Sequence, residues 1–182
     1  AGNLVSISQA LSRCGANPVI VTDPSELAGC DGVVLPGVGA TRTVMDGIER
    51  AGFTAALTSL DVPLLGICVG MQVLFDESEE DNTAGLGLLA GMVRRLADAP
   101  SLPHIGWNDL TVRPESTLFA GVPDPVVYFV HSYAATPADD SVVTATATHG
   151  RAFTAAVESG RVYGVQFHPE RSGSTGLRIL HR

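Results

Sequence analysis

The sequence predicts an α/β fold: an open, mixed but mostly parallel β-sheet flanked by helices. In the first half of the chain, short apolar runs alternate with amphipathic stretches, which is typical of parallel strands joined by helices. The second half carries β-rich runs with short turns between them, which indicates antiparallel strands added to the sheet. At 182 residues, the chain suits a single domain spanning 1–182.

The first half contains the alternating elements. Apolar residues recur at helical spacing over 4–14, and Gly15 is placed to end that helix. The β-branched run 17–22 predicts a strand, and 23–30 predicts a turn with a short helix. The remaining elements are a strand at 32–36, helices at 42–52 and 53–60, a strand at 62–67 and a helix at 69–75.

The second half predicts a set of neighbouring strands. The apolar and β-branched runs are 126–130, 141–148, 152–159 and 161–167, and a closing helix is expected at 174–180. The sequence Ser-Gly-Arg at 159–161 is typical of a hairpin link. The acidic stretch 76–85 predicts a solvated surface loop.

Composition excludes several classes of function. The chain is 45% hydrophobic with a formal net charge of −8, which argues against a broad nucleic-acid or anionic-membrane surface. All eleven basic residues are arginine, so no lysine can form a Schiff base or a Walker-type phosphate contact. Three cysteines without CxxC spacing argue against a disulfide framework or a thiolate metal site. No apolar run approaches a membrane span and no secretory signal is visible, so we expect a cytoplasmic protein.

Cys68 occupies a distinctive turn within "LLGICVGMQ" (64–72). A strand is expected to end just before it and a helix to begin just after it, with Gly66 and Gly70 two residues away on either side. Small residues at these positions allow a sharp strand-to-helix turn that exposes a nucleophile. The helix N-terminus favours the thiolate, and the N–H of Val69 is placed to donate to an oxyanion. The alternative is an inert core cysteine in a glycine-rich turn.

"VQFHPERSG" (165–173) supplies a possible base. His168 ends an apolar strand, and Pro169 forces the chain to turn, so that Glu170 can reach back to the imidazole. A cysteine nucleophile needs a base, and the base needs an orienting carboxylate. The alternative is a surface histidine beside a solvated glutamate, but the cysteine turn 100 residues upstream favours a triad.

Two further segments are expected to complete a site. "LPGVGA" (35–40) follows a parallel strand, and its backbone N–H groups could form the second half of an oxyanion hole. "FVHSYA" (129–134) ends a strand with polar and aromatic groups, where open α/β sheets often bind ligands. The alternatives are an ordinary βα loop and a hairpin turn.

These motifs together resemble a known family. "PGVGA", "GICVGMQVLF", "LPHIGWN", "YFVHSY" and "GVQFHPERSG" occur in the order found in class I (triad-type) glutamine amidotransferases, and they span nearly the whole chain. Within that class the chain is most similar to the glutaminase subunits of imidazole glycerol phosphate synthase, an enzyme of histidine biosynthesis. The motifs "PHxGWN", "HSY" and "HPE-basic-SG" favour this subgroup over other class I amidotransferases.

The resemblance implies a role for each matching residue. Cys68 would attack the side-chain amide of L-glutamine and form a glutamyl thioester, His168 would transfer the protons, and Glu170 would orient His168. It also implies an oxyanion hole at Val69, Gly37 and Val38, where a peptide flip precedes donation, and a glutamine site at Gly39, Gln72, His131, Ser132 and Tyr133. Neither a cofactor nor a metal is implied.

The resemblance also implies a partner. Ammonia released into water would be protonated and lost, and in this family it passes to a (β/α)8-barrel cyclase subunit within a heterodimer. The cyclase makes imidazole glycerol phosphate and an aminoimidazole carboxamide ribotide. The residues that match interface positions are Asn3, His104, Trp107 and Asn108. Trp107, the only tryptophan, fits an exposed interface anchor, with core packing as the alternative.

The match has departures, and rival interpretations remain. The first strand of the family has no counterpart here, so we expect residues that precede this sequence. Arg171 replaces the usual lysine after "HPE", and Val69 stands where leucine is commoner. The rivals are a different class I amidotransferase, another α/β hydrolase with a cysteine at the same kind of turn, and a partner-binding scaffold that has lost activity.

Overall fold

The computed structural model describes the backbone of residues 2–182 and the side chains of residues 4–182. Its five α-helices are α1 (Gly2–Arg13), α2 (Thr41–Arg50), α3 (Phe53–Thr58), α4 (Val69–Gln72) and α5 (Gly173–Leu180). Short 3-10 turns occupy Pro24–Gly29, Glu80–Asn82, Asp140–Val142 and Pro169–Arg171. The predicted helices at 4–14, 42–52, 53–60 and 174–180 are confirmed, with ends that differ by a few residues.

A six-stranded mixed sheet forms the centre of the molecule. Its strands are β1 (Val33–Gly37), β2 (Leu64–Cys68), β7 (Thr111–Val112), β10 (Val143–His149), β11 (Arg151–Ser159) and β12 (Val162–Val165). Their order is β1–β2–β12–β11–β10–β7. The first three strands run parallel, and the other neighbours pair antiparallel. The predicted change from parallel to antiparallel pairing along the chain is therefore confirmed, as is the hairpin at 159–161.

The register of the parallel strands brings distant segments together at one edge. Gly37 lies opposite Cys68, and Val165 lies opposite Ile67. The loop after β1, the turn after β2 and the segment that follows β12 therefore leave the sheet side by side. Ligand sites of open α/β sheets occur at this carboxyl edge.

Six further strands form two smaller sheets. One has the order β4–β3–β5–β9, with β3 (Phe75–Ser78), β4 (Thr83–Ala84), β5 (Leu89–Arg95) and β9 (Tyr133–Pro137). The other pairs β6 (His104–Asp109) with β8 (Val126–His131) in antiparallel fashion. The sequence predicted β8 but not β5, β6 or β9.

Two predictions in this region were wrong. The helix expected over 69–75 ends at Gln72, and the acidic stretch 76–85 is not a loop, because it contributes to β3 and forms β4. Leu74 and Phe75 are fully buried, and β3 pairs in parallel with β5. Tertiary pairing thus overrides the local helical pattern and the acidic composition.

The strand predicted at 17–22 is also absent. These residues have no regular secondary structure, and Val19 is 69% exposed. A β-branched run becomes a strand only when a neighbour accepts its backbone hydrogen bonds, and among the described strands β1 pairs with β2 alone.

The core lies between the central sheet and the elements around it. The largest fully buried side chains include Phe75, Phe129, Phe167 and Ile67. Phe129 packs edge-on against Phe167 with ring centroids 5.9 Å apart, which joins β8 to the segment after β12. None of the described helices is long and apolar enough to cross a membrane.

Candidate active site

Cys68 lies at a strained turn between β2 and α4. Its φ is 57° and its ψ is −114°, a backbone conformation that costs free energy in a residue with a side chain. The turn is also tightly packed. A Cβ atom added to Gly66 would lie 2.5 Å from the Gly70 carbonyl oxygen, and one added to Gly70 would lie 1.8 Å from the Leu35 carbonyl oxygen. Both glycines predicted to permit the turn are therefore sterically required.

The end of β1 packs directly against this turn. A Cβ atom on Gly37 would approach the Gly70 nitrogen to 2.5 Å, so no larger residue fits there. Val38, Gly39 and Val69 all line the cavity that contains Cys68. The two segments predicted to form the oxyanion hole, Val69 and Gly37–Val38, therefore lie beside Cys68.

His168 and Glu170 form a buried pair after β12. His168 Nδ1 lies 2.8 Å from Glu170 Oε1, and both side chains are almost completely buried. The second carboxylate oxygen, Oε2, is buried with no hydrogen-bond partner among the described residues. The carboxylate therefore has only the imidazole to stabilise its charge, which strengthens this pairing.

The turn that carries this pair is fastened to β8. The backbone N–H of His168 donates to the Tyr128 carbonyl oxygen at 2.9 Å. The hydroxyl of Ser172 donates to the His168 carbonyl oxygen at 2.7 Å and accepts from the Tyr128 N–H at 3.0 Å. These bonds fix the position of the imidazole relative to the sheet.

The surroundings of His168 favour its charged form. Burial alone lowers the pKa of the imidazole, but the hydrogen bonds and charges of Cys68 and Glu170 more than offset that effect and raise the pKa to about 9. The ring is therefore an imidazolium at neutral pH.

The cavity at this edge has a volume of about 340 Å³. Cys68 and His168 line it, and Glu170 lies behind His168. The residues proposed for glutamine binding also line it, namely Gly39, Gln72, His131, Ser132 and Tyr133. The structure therefore brings together the residues that the sequence placed in the catalytic and substrate sites.

His131 differs from His168 in what it can offer. Its Nδ1 lies 2.8 Å from the Tyr133 carbonyl oxygen, and its Nε2 lies 3.1 Å from His104 Nδ1. A carbonyl can only accept, so Nδ1 carries the proton and Nε2 accepts from His104. Burial is the main cause that lowers the pKa of His131 to about 4. Because both ring nitrogens are occupied, His131 forms part of the cavity wall and has no free donor for a ligand.

Sequence reasoning missed two polar residues of the site. Glu80 lines the cavity, and its Oε2 accepts from the backbone N–H and the hydroxyl of Thr41 at 2.8 and 3.0 Å. It belongs to the acidic run interpreted as a surface loop, where nothing local distinguishes it from its neighbours. The second residue is Gln166, whose Nε2 lies 3.7 Å from Cys68 Sγ. Sequence reasoning missed Gln166 because side chains alternate between the two faces of a strand, and a polar residue at the end of β12 suggests an exposed face.

The proposed interface residues divide into two groups. Trp107 is 56% exposed, so the core-packing alternative is wrong, whereas Asn108 is half-buried and its amide donates to the Thr148 carbonyl oxygen. His104 is only 5% exposed and points to the opposite face of β6, where it stacks on Phe129. Its side chain does not fit a partner contact. The side chain of Asn3 lies outside the described residues.

The exposed face of β6 is connected to the histidine turn. Trp107 packs edge-on against Tyr128, with ring centroids 6.0 Å apart, and the Arg171 guanidinium lies 4.6 Å above the Tyr128 ring. Arg171 immediately follows Glu170. An aromatic and cationic stack therefore joins the surface to the turn that holds the proposed base.

Several curated proteins that are similar to this chain carry the same name. An "Imidazole glycerol phosphate synthase subunit HisH" from Xanthomonas oryzae pv. oryzae is 49% identical over 182 residues, which cover 98% of this chain and 90% of the relative. Proteins of the same name from a Synechococcus species and Dehalococcoides mccartyi are 47% and 45% identical, covering 99% and 98% of this chain and 87% and 89% of the relatives.

Solved structures share the fold at lower identity. A glutamine amidotransferase crystal structure superposes with a TM-score of 0.77 at 22% identity, covering 97% of this chain and 90% of the other. The crystal structure of a putative GMP synthase component from Thermoplasma acidophilum superposes with a TM-score of 0.72 at 24% identity, covering 96% of this chain and 82% of the other. The model of the class-I glutamine amidotransferase family matches residues 2–181. With the family matched over nearly the whole chain and relatives approaching half identity, this chain belongs to the class-I glutamine amidotransferases.

Proposed function

We propose that the chain is the glutaminase subunit of an imidazole glycerol phosphate synthase, hydrolysing L-glutamine and passing ammonia to a cyclase subunit. The observation that carries the proposal is the strained Cys68 turn, which shares a cavity with a buried His168 that pairs with Glu170 at 2.8 Å. The names of the relatives, at up to 49% identity over nearly the full chain, support the subgroup.

The first half of the reaction forms a thioester. The Cys68 thiolate attacks the side-chain carbonyl carbon of glutamine, and the negative charge moves to the carbonyl oxygen. The N–H of Val69 and the Gly37–Val38 segment would stabilise that oxyanion. As the intermediate collapses, the His168 imidazolium donates its proton to the departing amide nitrogen, and ammonia leaves.

The second half returns the enzyme to its starting state. The neutral His168 ring takes a proton from water, whose oxygen attacks the thioester carbon. Collapse of this intermediate breaks the carbon–sulfur bond, so that glutamate leaves and Cys68 regains the thiolate. Glu170 keeps the ring oriented and stabilises the imidazolium in both steps.

The cavity offers complementary contacts for the amino-acid end of glutamine. The carboxylate of Glu80, fixed through its Oε2 to Thr41, suits an α-ammonium group. Gln72 can accept through its Oε1, because its Nε2 already donates to the Tyr133 carbonyl oxygen. Gly39, Ser132 and Tyr133 would complete the site, with His131 as a wall.

The proposed partner is a (β/α)8-barrel cyclase subunit in a heterodimer. Ile105 and Trp107 lie on the same face of β6 and are 60% and 56% exposed, which suits an interface anchored by an aromatic side chain. The cyclase would use the ammonia to make imidazole glycerol phosphate and an aminoimidazole carboxamide ribotide.

We further propose that residues 1–182 act as one domain and that the protein works in the cytoplasm. Its three cysteines are all free, which suits a reducing compartment.

The decisive experiment mixes the chain with a barrel cyclase and the cyclase nucleotide substrate. We expect glutamate release and imidazole glycerol phosphate formation with glutamine as the nitrogen donor. A Cys68→Ala variant should lose both activities while still binding the cyclase, and free ammonia should restore cyclisation alone. If the unaltered chain releases glutamate but never supplies the cyclase, a different class I amidotransferase is the better assignment. If diazo-oxo-norleucine does not acylate Cys68 in the complex, the glutaminase proposal fails.

A further inference from the structure

Gln166 is a buried polar residue with no role in the mechanism above. It lies directly after β12, two residues before His168, and its side chain is fully buried. Its Oε1 lies 3.0 Å from Gln72 Nε2, and its Nε2 lies 3.7 Å from Cys68 Sγ. It therefore connects a wall of the substrate cavity with the proposed nucleophile.

The orientation of both amides follows from one backbone carbonyl. Gln72 Nε2 lies 3.0 Å from the Tyr133 carbonyl oxygen, which can only accept, so that atom of Gln72 must be the nitrogen. Its second hydrogen points to Gln166, whose contacting atom must then be the oxygen. The Gln166 nitrogen is left facing the sulfur, so the amide donates to Cys68 and cannot accept from it.

We propose that Gln166 is a further catalytic residue, whose amide N–H holds the Cys68 sulfur in its anionic form and stabilises that sulfur as the leaving group. The inference rests on the proposed role of Cys68 as nucleophile. A donor aimed at sulfur favours the thiolate before attack. When the thioester is hydrolysed, the carbon–sulfur bond breaks and the electron pair returns to sulfur, where the same N–H receives it.

Burial makes this hydrogen bond consequential. The sulfur, the Gln166 amide and the Gln72 amide are all buried, so water does not compete for the donor. The other titratable groups that line the cavity with Cys68 are Glu80, His131, Tyr133 and His168, and Glu170 lies behind His168. His168 supplies a mobile proton, whereas Gln166 supplies a fixed one that remains on nitrogen throughout the cycle.

The test compares two substitutions in the complex with the cyclase subunit. Gln166→Met keeps the volume but removes both polar atoms, and we expect kcat to fall about 10- to 100-fold with KM changed less than threefold. Gln166→Glu keeps the acceptor for Gln72. Its protonated form can donate to sulfur, but its ionised form repels it. We therefore expect activity of this variant to fall as pH rises across a range where the unaltered complex is steady. Gln9→Glu, on the exposed face of α1, is the matched control and should leave the profile unchanged.

Each outcome distinguishes the claims. If Cys68→Ala keeps turnover, the proposed nucleophile is wrong, and the role of Gln166 falls with it. If Cys68→Ala is inactive and Gln166→Met keeps kcat within twofold, only the role of Gln166 is overturned. If Gln166→Met does not fold, the pH profile of Gln166→Glu decides alone, since a purely structural residue would lower activity equally at every pH.

Discussion

Two buried histidines line the same cavity and differ in charge. His168 is 3% exposed and His131 is 6% exposed, so burial is nearly equal. The pKa of His168 is raised to about 9, whereas the pKa of His131 is lowered to about 4. At neutral pH one ring is therefore an imidazolium and the other is neutral.

Their partners explain the difference. Burial lowers the pKa of both rings, but His168 also faces the Glu170 carboxylate and the Cys68 sulfur, which favour the cation. His131 faces a backbone carbonyl and three other imidazoles, those of His104, His149 and His168, whose positive charges would repel its own. Burial alone therefore does not decide the charge of a histidine here. A carboxylate two residues along the chain makes one ring fit for proton transfer, while a cluster of rings makes the other a neutral wall.

Removing each ring should give very different losses of activity. We expect His168→Asn to lower kcat by about 10³-fold or more, because no group remains to protonate the leaving nitrogen. His131→Asn should cost about tenfold or less, mainly in KM, since only the cavity wall changes. Steady-state glutamate release in the cyclase complex measures both. Equal losses of kcat in the two variants would contradict the division of roles.

Removing the carboxylate should shift His168 toward the behaviour of His131. Glu170→Gln deletes a charge that favours the imidazolium, so the pKa of His168 should fall from about 9. We expect kcat to fall about 10²-fold. The fall of activity at alkaline pH should begin at a lower pH than in the unaltered complex, because the imidazolium is lost earlier as pH rises.

The matched control for this experiment is Glu158→Gln, which neutralises another carboxylate. Glu158 accepts from the backbone N–H groups of Thr117 and Leu118 and from the hydroxyls of Ser116 and Thr117, on the sheet away from the cavity. Its neutralisation should lower stability without moving the alkaline limb of the activity profile. An alkaline limb that stays in place in Glu170→Gln would show that another group controls it.

The neutral cluster should make the fold sensitive to acid. His104 and His131 both have a pKa lowered to about 4, so the unfolded chain binds more protons than the folded chain between about pH 4 and 6.5. Their contribution to stability is complete above about pH 6.5 and is lost as pH falls through that window. We expect a loss of about 2 kcal/mol at pH 4, less than the sum for two independent rings, since the rings are coupled.

Urea unfolding at several pH values measures this loss. In His104→Phe, which keeps an aromatic ring on Phe129, the dependence of the unfolding free energy on pH should be shallower between pH 4 and 6.5. His181→Phe, an exposed ring near the chain end, should leave the slope as it is. An unchanged slope in His104→Phe would show that carboxylates dominate acid unfolding.

The difference between the two histidines was only half visible in the sequence. The spacing His-Pro-Glu identifies the charged ring, because a proline turn returns the carboxylate to the imidazole. Nothing local identifies the neutral ring, since His104, His131 and His149 come from three strands of two sheets. Only their pairing in the fold shows that His104 lies inward and supports His131, contrary to the surface role predicted for it.

The same limit applies to the fold. The apolar and β-branched runs were sufficient to predict the long strands of the central sheet, because the residues of each such strand are themselves suited to a buried sheet. Strand β3 and Glu80 belong to an acidic run. The pairing of β3 with β5 depends on the tertiary fold, so the local sequence does not reveal it. Residues 17–22 show the converse, since a strongly β-branched run without a neighbour does not form a strand. Local pattern predicts an element only where burial and pairing agree with it.

A buried polar group without a hydrogen-bond partner in the described part of the chain completes the comparison and gives the smallest expected effect. Thr144 in β10 has a buried hydroxyl oxygen without a hydrogen-bond partner among the described residues. Thr144→Val removes that unpaired group and keeps a β-branched side chain suited to a strand, so we expect the free energy of unfolding to rise by about 1 kcal/mol. The opposite case is Thr41→Val. The Thr41 hydroxyl donates to Glu80, so its removal should lower the free energy of unfolding by a similar amount. Urea unfolding of both variants at pH 7.5, where the histidine cluster is neutral, measures the pair. A loss of stability in Thr144→Val would mean that its hydroxyl has a partner in solution, and would make its position resemble that of Thr41.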